Sequence, residues 1–318
     1  MVATLERERT SVEAQARLHA PAISVRGLRK AYGSFEAVRG IDFEIQAGEI
    51  FAFVGPNGAG KTTTVEILEG YRPRNGGEVS VLGVDPVAPT RAWRSRIGVV
   101  LQTCELPPQL TVRGLVARYA SYYAAPRPVE ETIALVGLED KRDSRSSKLS
   151  GGQQRRLDVA LALVGDPELI FLDEPTTGFD PGARHQFWDV ISDLRSLGKT
   201  IFLTTHYMDE AQALADRVAV IAAGQIVAEG TPDTLGGRDR AACEIRFRLP
   251  GSMRAVDLPP LGVETSRGDG VVRIRTETAQ QTLESLLDWA HALGAELQGL
   301  EVVRPNLEDI YLRLVSKP

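Results

Sequence analysis

The sequence predicts an α/β fold, a largely parallel sheet wrapped by helices with a small α+β unit behind it, and three observations carry that prediction. Residues 50–54, 169–172 and 200–205 are strand-length runs dominated by apolar and Thr residues. Strands covered by helices on both faces read in this way, as near-continuous apolar segments rather than alternating ones. Stretches with apolar side chains at helical spacing, such as 154–164 and 182–197, lie between or after these runs, and that alternation marks parallel βαβ units. The first run leads into Gly55-Pro56-Asn57-Gly58-Ala59-Gly60-Lys61-Thr62, a GxxxxGK[ST] loop, and residues 63–68 read as a helix stopped by Gly70. This is the strand, loop and helix setting that such a motif requires.

Taken in order, residues 1–22 carry Glu6, Arg7, Glu8, Arg9 and Glu13 among few large apolar residues, which reads as a flexible leader or a marginal helix. Residues 23–30 and 35–46 alternate apolar with polar side chains and predict antiparallel strands broken at Gly33-Ser34 and Gly40. Tyr32, between them, supports two readings: core packing, or a π face offered to a purine. A turn-rich link at 71–77 and a short strand at 78–82 follow, then an apolar strand at 97–101 that ends in the amide Gln102. Helical periodicity over about 103–166, with Leu115, Tyr119 and Tyr122 on one face and a break at Pro126 and Pro128, predicts a helical insert. Residues 175–181 form a tight loop holding Asp180, and the amphipathic helix 182–197 stops at Gly198. A helix at 207–215, a hairpin of 217–221 with 225–228 around Ala223-Gly224, and a further helix opening at Thr231-Pro232 complete a domain spanning 23–238. Residues 239–318 make the second domain, with a Gly/Pro-rich link at 259–270, strands at 271–275 and 295–303, and helices at 278–293 and 306–314.

The residue types that carry chemistry collect at the ends of these elements. Backbone N–H groups around Gly55, Asn57, Gly58 and Gly60 and the helix start at Lys61, Thr62 and Thr63 can surround a phosphate. Lys61 adds a full charge beside the β and γ phosphates, and Thr62 offers its hydroxyl to Mg2+. Asp173 and Glu174 close a buried parallel strand, at the edge where open α/β sheets bind ligands. Asp173 suits Mg2+, and Glu174 suits a base that polarises an attacking water. Gln102 and His206 end strands at the same edge, where Gln102 could reach a metal or water and His206 the γ phosphate. Ser150-Gly151-Gly152-Gln153 makes a second helix start able to hold an anion, with Ser150 as its N-cap.

Composition narrows the function classes. The 318-residue chain is 43% hydrophobic, enough to fill one large and one small core. With 42 acidic against 37 basic side chains and a net charge of −5, it offers no basic footprint for nucleic acid. Cys104 and Cys243 lie far apart without metal-ligand spacing, which predicts two reduced thiols in a cytosolic protein. The N-terminus lacks the apolar core of a signal peptide, and no apolar run is long enough to cross a bilayer, so any membrane involved is spanned by another chain.

Once the loop, Lys61 and Mg2+ hold a triphosphate, the helix start at 150–153 is left over. Two half-sites on one chain are most simply satisfied by a twofold dimer, each copy's 150–153 segment covering the nucleotide on the other's loop. ATP would then close the dimer, and hydrolysis would open it.

GPNGAGKTT, LSGGQ, LIFLDEP and His206, in this order across roughly residues 23–235, resemble the nucleotide-binding subunit of an ATP-binding-cassette (ABC) transporter. The resemblance implies a P-loop NTPase with a RecA-like core, an antiparallel β subdomain and a helical subdomain, hydrolysing ATP with Mg2+. It implies that Tyr32 stacks on adenine, that Gln102 is the Q-loop residue, that Asp180 lies in the D-loop, and that Glu174 is the catalytic base. Residues 106–112, 155–162 and 305–312 are similar to daunorubicin-resistance-type exporters. That branch implies a homodimer on the cytoplasmic side of the membrane, driving a separate permease that exports a drug-like, antibiotic or lipid-like cargo. Gly114 and Asn75-Gly76-Gly77 depart from the family's pattern. Two other readings compete: an ABC importer subunit, and a soluble cassette ATPase acting on ribosomes or DNA. The latter calls for paired cassettes, a coiled-coil insert or basic arms, and the sequence contains none of them.

Overall fold

The computed structural model describes residues 20–102, 106–249, 258–259, 261, 264–268 and 271–315. Residues 1–19 of the expected leader and Cys104 lie outside them. The chain divides into two units, one ending at Pro232 and one spanning Asp233–Pro318.

The first unit runs β1 (Ile23–Tyr32), β2 (Phe35–Ile45), β3 (Ile50–Val54), α1 (Lys61–Leu68), β4 (Gly76–Val81), α2 (Arg91–Arg94), β5 (Ile97–Val100), α3 (Val112–Ala120), α4 (Val129–Leu135), α5 (Gly151–Leu163), β6 (Leu169–Asp173), α6 (Pro181–Ser196), β7 (Thr200–Thr205), α7 (Met208–Leu214), β8 (Arg217–Ala222) and β9 (Gln225–Gly230). A six-stranded sheet has the order β5-β6-β7-β3-β8-β9, and an antiparallel three-stranded sheet has the order β2-β1-β4. The apolar runs behave as their composition requires: β3 and β7 are buried throughout, and β6 is buried up to its last residue. Adjacent members of β5, β6, β7 and β3 are parallel, so Gln102, Asp173-Glu174, His206 and the phosphate loop all leave the sheet at one edge.

The two sheets meet through aromatic packing. Phe43 of β2 packs against Phe51 and Phe53 of β3, and Phe202 of β7 has its centroid 5.7–6.2 Å from those of Phe43, Phe51, Phe53 and Phe171. The helical insert shares a core with one face of the sheet: Val112, Leu115, Ile133 and Val136 meet Leu157 and Leu161 of α5 in one cluster with Ile170, Leu172 and Leu203. Tyr122 does not share the apolar face expected for it. It follows the end of α3, is exposed, and meets Tyr119 edge-on at 5.8 Å. Both departures from the family pattern have local work to do. Asn75 accepts the N–H of Ala31 at 2.8 Å, and Gly77 has φ 87, where a Cβ would lie 2.4 Å from the Gly27 carbonyl. Gly114 donates its N–H to the capping hydroxyl of Thr111 at 3.1 Å.

The second unit contains β10 (Cys243–Arg248), β11 (Glu264–Gly268), β12 (Val271–Thr276), α8 (Ala279–Ala292), β13 (Gln298–Val303) and α9 (Leu307–Val315). Its antiparallel sheet has the order β11-β12-β10-β13, and Ile245, Phe247, Val272 and Ile274 pack with Leu286 and Ala290 of α8. Two expectations are corrected here. Thr231-Pro232 opens no α-helix: Leu235–Arg240 forms short 3-10 turns interrupted by Gly236 and Gly237, whose φ of 58 and 77 cannot propagate a right-handed helix. The link at 259–270 contains the edge strand β11, whose ETSRG sequence has no apolar alternation to announce it. Among the described residues no helix is long and apolar enough to cross a membrane.

Because Phe202 is fully buried against four other phenylalanines, Phe202→Ala is expected to cost about 3–5 kcal/mol, read as a lowered midpoint in chemical denaturation.

Candidate functional site

The phosphate loop is shaped by what its glycines cannot be. A Cβ on Gly55 would lie 2.3 Å from the carbonyl oxygen of Ile221, and one on Gly60 2.5 Å from that of Ala37. Gly58 and Gly60 also take φ of 79 and 109, where L side chains are strained. The helix α1 opens at Lys61 with Gly60 as N-cap and no capping side chain, so no side chain competes with an anion for its first-turn N–H groups or for the positive end of its dipole. Lys61 is 5% exposed and donates to the carbonyls of Gly55 at 2.7 Å and Pro56 at 3.3 Å. Asn57 and Thr62 are exposed, Thr63 is half-buried, and Thr64 turns inward to the Gly60 carbonyl at 2.9 Å.

The acidic end of β6 is held by the neighbouring strand. Asp173 pairs in register with Thr204 of β7, whose hydroxyl donates to the Asp173 carboxylate. The Glu174 N–H is shared between the Thr204 carbonyl at 3.1 Å and its hydroxyl oxygen at 3.0 Å. Glu174 sits at φ 44, unusual for a residue with a side chain. Its carboxylate lies 3.4 Å from Lys61 Nζ and 3.3 Å from His206 Nδ1, and accepts from the Thr177 hydroxyl at 3.4 Å. Burial holds the Asp173 carboxyl above the ordinary range; the Thr204 hydroxyl opposes this, and the adjacent Glu174 charge adds to it. A divalent cation would relieve that crowding. The donors present, an exposed Thr62 hydroxyl and one strand-end carboxylate, are the hard oxygens Mg2+ takes, with phosphate and water completing the shell. Among the described residues no group of three or more His, Cys, Asp or Glu side chains could hold a metal without them.

Two hollows divide the remaining candidates. Gln102, Gly151 and Glu174 line a cleft of about 630 Å3, and Ser150, Gly151, Gly152, Gln153 and Asp180 line another of about 220 Å3. Ser150 caps α5 as its sequence predicts, in a reciprocal box: its hydroxyl accepts the Gln153 N–H at 3.3 Å, and Gln153 Oε1 accepts the Ser150 N–H at 3.0 Å. Asp180 caps α6 through the Ala183 N–H at 2.9 Å. Tyr32 is 41% exposed and outside the apolar cores, which removes the core-packing reading. Lys30 Nζ and the Arg72 guanidinium each stand 5.3 Å from its ring centroid.

Sequence reasoning missed two residues that hold the site. Thr204 could be paired with Asp173 only once the strand order was known. Arg155 stood merely within a helical run, yet its guanidinium donates to the carbonyls of Leu101, Asp173 and Pro175. Beside it, burial raises the Asp158 carboxyl to about 6, against the opposing Arg155 charge.

Comparison with known proteins agrees with this geometry. A family model described as ABC transporter matches residues 38–177, and one described as ABC transporter domain-containing protein-like, C-terminal domain, matches residues 243–306. The chain is 38% identical to the Nod factor export ATP-binding protein I of Burkholderia lata over 93% of its length and 97% of that protein's. It is also 38% identical to the protein of the same name from Rhizobium meliloti, over 93% of this chain and 88% of that one. Among solved structures, the ATP-binding cassette MJ1267 in its ADP conformation has a TM-score of 0.59 at 26% identity, covering 66% of this chain and 91% of that one. An ATP-binding subunit of an ABC transporter has a TM-score of 0.60 at 25% identity, covering 67% and 90% respectively. Identity extending over nearly the full length of these relatives, on a chain whose phosphate loop, acidic strand end and histidine meet at one sheet edge, makes this protein a member of the ABC transporter family, an ATP-binding cassette ATPase.

Proposed function

We propose that the chain is the ATPase subunit of an exporter, acting as an ATP-closed homodimer on the cytoplasmic side of a membrane and driving a separate permease. The observation that carries the chemistry is the Glu174 carboxylate, held between Lys61 and His206 at the sheet edge beside the phosphate loop. In this reading Gly55, Asn57, Gly58, Gly60, Lys61, Thr62 and Thr63 surround the phosphates of ATP, and Tyr32 offers its exposed ring to adenine. Thr62 and Asp173, with Gln102, hold Mg2+, which when bound neutralises phosphate charge. Glu174 orients and deprotonates the attacking water, Lys61 stabilises charge on the transferring phosphoryl group, and His206 holds the γ phosphate against Glu174. Ser150, Gly151, Gly152, Gln153 and Asp180 cover the nucleotide of the second copy. Ser150, Gly152, Gln153 and Asp180 line a hollow apart from the Glu174 cleft, with Gly151 bordering both, and this supports that arrangement.

Export is supported by the relatives, which are named for export of Nod factor. The segments 106–112, 155–162 and 305–312, similar to daunorubicin-resistance-type exporters, extend the proposal to a drug-like, antibiotic or lipid-like cargo. The permease would dock where the helical insert meets β5, on a surface that includes exposed Leu101 and half-buried Tyr119 and Tyr123.

Glu174→Gln should lower ATP turnover by about 10²-fold or more while the protein still binds ATP; wild-type turnover would remove Glu174 as the base. In sedimentation, Ser150→Ala should weaken ATP-dependent dimerisation without changing the nucleotide affinity of the monomer. Ser150→Thr, which keeps the helix cap, separates that effect from loss of the cap, and equal loss of both affinities would exclude the shared site. Affinity capture from detergent-solubilised membranes should recover a multi-helix membrane protein, whereas recovery of ribosomes or nucleic acid would reverse the transport reading.

A further inference from the structure

Arg155 belongs to α5, yet the acceptors of its guanidinium lie on other elements. With 7% exposure, it donates from Nε to the Pro175 carbonyl at 3.0 Å, from Nη2 to the Asp173 carbonyl at 2.9 Å, and from Nη1 to the Leu101 carbonyl. Asp173 and Pro175 are the residues on either side of Glu174, and Leu101 immediately precedes Gln102. The residue enclosed by these contacts is the one held at φ 44, a conformation that persists for a side-chain-bearing residue only where its surroundings over-determine it. Thr204 grips the Glu174 N–H from β7, and Arg155 grips the carbonyls before and after it from α5. A planar fork with donors pointing in several directions can serve dispersed carbonyls; a lysine ammonium, a compact point charge, cannot span them in the same way. Asp158, one helical turn on, places its carboxylate 3.8 Å from Nη1 as a counter-charge. A charge is costly to bury without such partners, and these partners converge on the backbone of the site rather than on the apolar core.

We propose that Arg155 is a positioning residue for Glu174 and Gln102. By holding the Asp173 and Pro175 carbonyls it keeps Glu174 in the left-handed conformation that presents its carboxylate to Lys61 and His206. By holding the Leu101 carbonyl it ties the base of the Gln102 segment to the same guanidinium. Because Ser150 caps the first turn of the helix that carries Arg155, a shift of α5 reaches the base and the Gln102 segment together. The inference rests on the reading of Glu174 as the base and goes beyond it by assigning what aims that base.

The test compares steady-state and single-turnover ATP hydrolysis by the full chain as wild type, Arg155→Gln, Glu174→Gln and the double variant, with equilibrium ATP binding and thermal midpoint measured for each. Arg155→Gln should lower kcat by about tenfold or more while KM and ATP affinity stay within about twofold, and Arg155→Lys should recover only part of the loss. In the Glu174→Gln background, Arg155→Gln should cause no further loss of residual turnover, because a residue that acts through Glu174 has nothing left to act on. The proposal is overturned if Arg155→Gln keeps the wild-type kcat, or if it lowers the residual turnover of Glu174→Gln by the same factor as in the wild type. It is also overturned if kcat and ATP affinity fall together with the thermal midpoint in both Arg155→Gln and Arg155→Lys, since that is the signature of a merely structural residue. Wild-type turnover by Glu174→Gln alone would instead remove the base itself, a result distinguishable from all of these.

Discussion

The register of β6 against β7 is the constraint on which the site depends. Burial drives it: Leu169, Ile170, Phe171 and Leu172 face Thr200, Ile201, Phe202 and Leu203 in parallel, every one of them inside the protein. A slip of one residue would turn each side chain to the opposite face of the sheet and take Asp173 away from Thr204. With the register kept, the hydroxyl of Thr204 meets the Asp173 carboxylate and the Glu174 N–H at once. Hydrophobic packing several residues away thus decides where two carboxylates stand.

Electrostatics explains why those carboxylates need company. Asp173 and Glu174 are adjacent acids at the end of a dry strand, and Lys61 is the buried cation within 3.4 Å of Glu174. The same ammonium also serves the Gly55 and Pro56 carbonyls, so its position is set by the loop as much as by the acid. An anion cradled by the loop and a cation shared with Asp173 would redistribute these contacts without moving the sheet, because the strands beneath are fixed by their own core. Chemistry at the rim and rigidity beneath it are separate properties here.

The helical insert relates differently to the site. Its core is continuous with one face of the sheet, and α5 also reaches through Arg155 to carbonyls beside Gln102 and on both sides of Glu174. The helix start at Ser150 to Gln153, whose Gly151 borders both hollows, is therefore joined through α5 to the backbone around the base. The smaller unit, Asp233–Pro318, satisfies its apolar surface by packing one face of an antiparallel sheet on α8.

Local pattern sufficed wherever one segment carries its own physical reason. The apolar runs predicted the buried parallel strands, the glycines and lysine predicted the phosphate loop, and Ser150 predicted a capped helix, because burial, backbone freedom and capping are decided within a few residues. The expectation failed elsewhere: β11 has no apolar alternation to announce it, the adjacent Gly236 and Gly237 override the helix start expected at Thr231-Pro232, and Tyr122 falls beyond the turn that would have buried it. Tyr32 could be read two ways until its exposure was known, since a lone aromatic between strands fits a core or a surface equally. Only the tertiary structure decided that Thr204 supports Asp173, that Arg155 encloses Glu174, and that Lys61 and His206 flank one carboxylate. Those pairings join residues 18 to 54 positions apart for Arg155 and 31 for Thr204 with Asp173, and strand order, which a single strand's composition does not encode, is what brings them together.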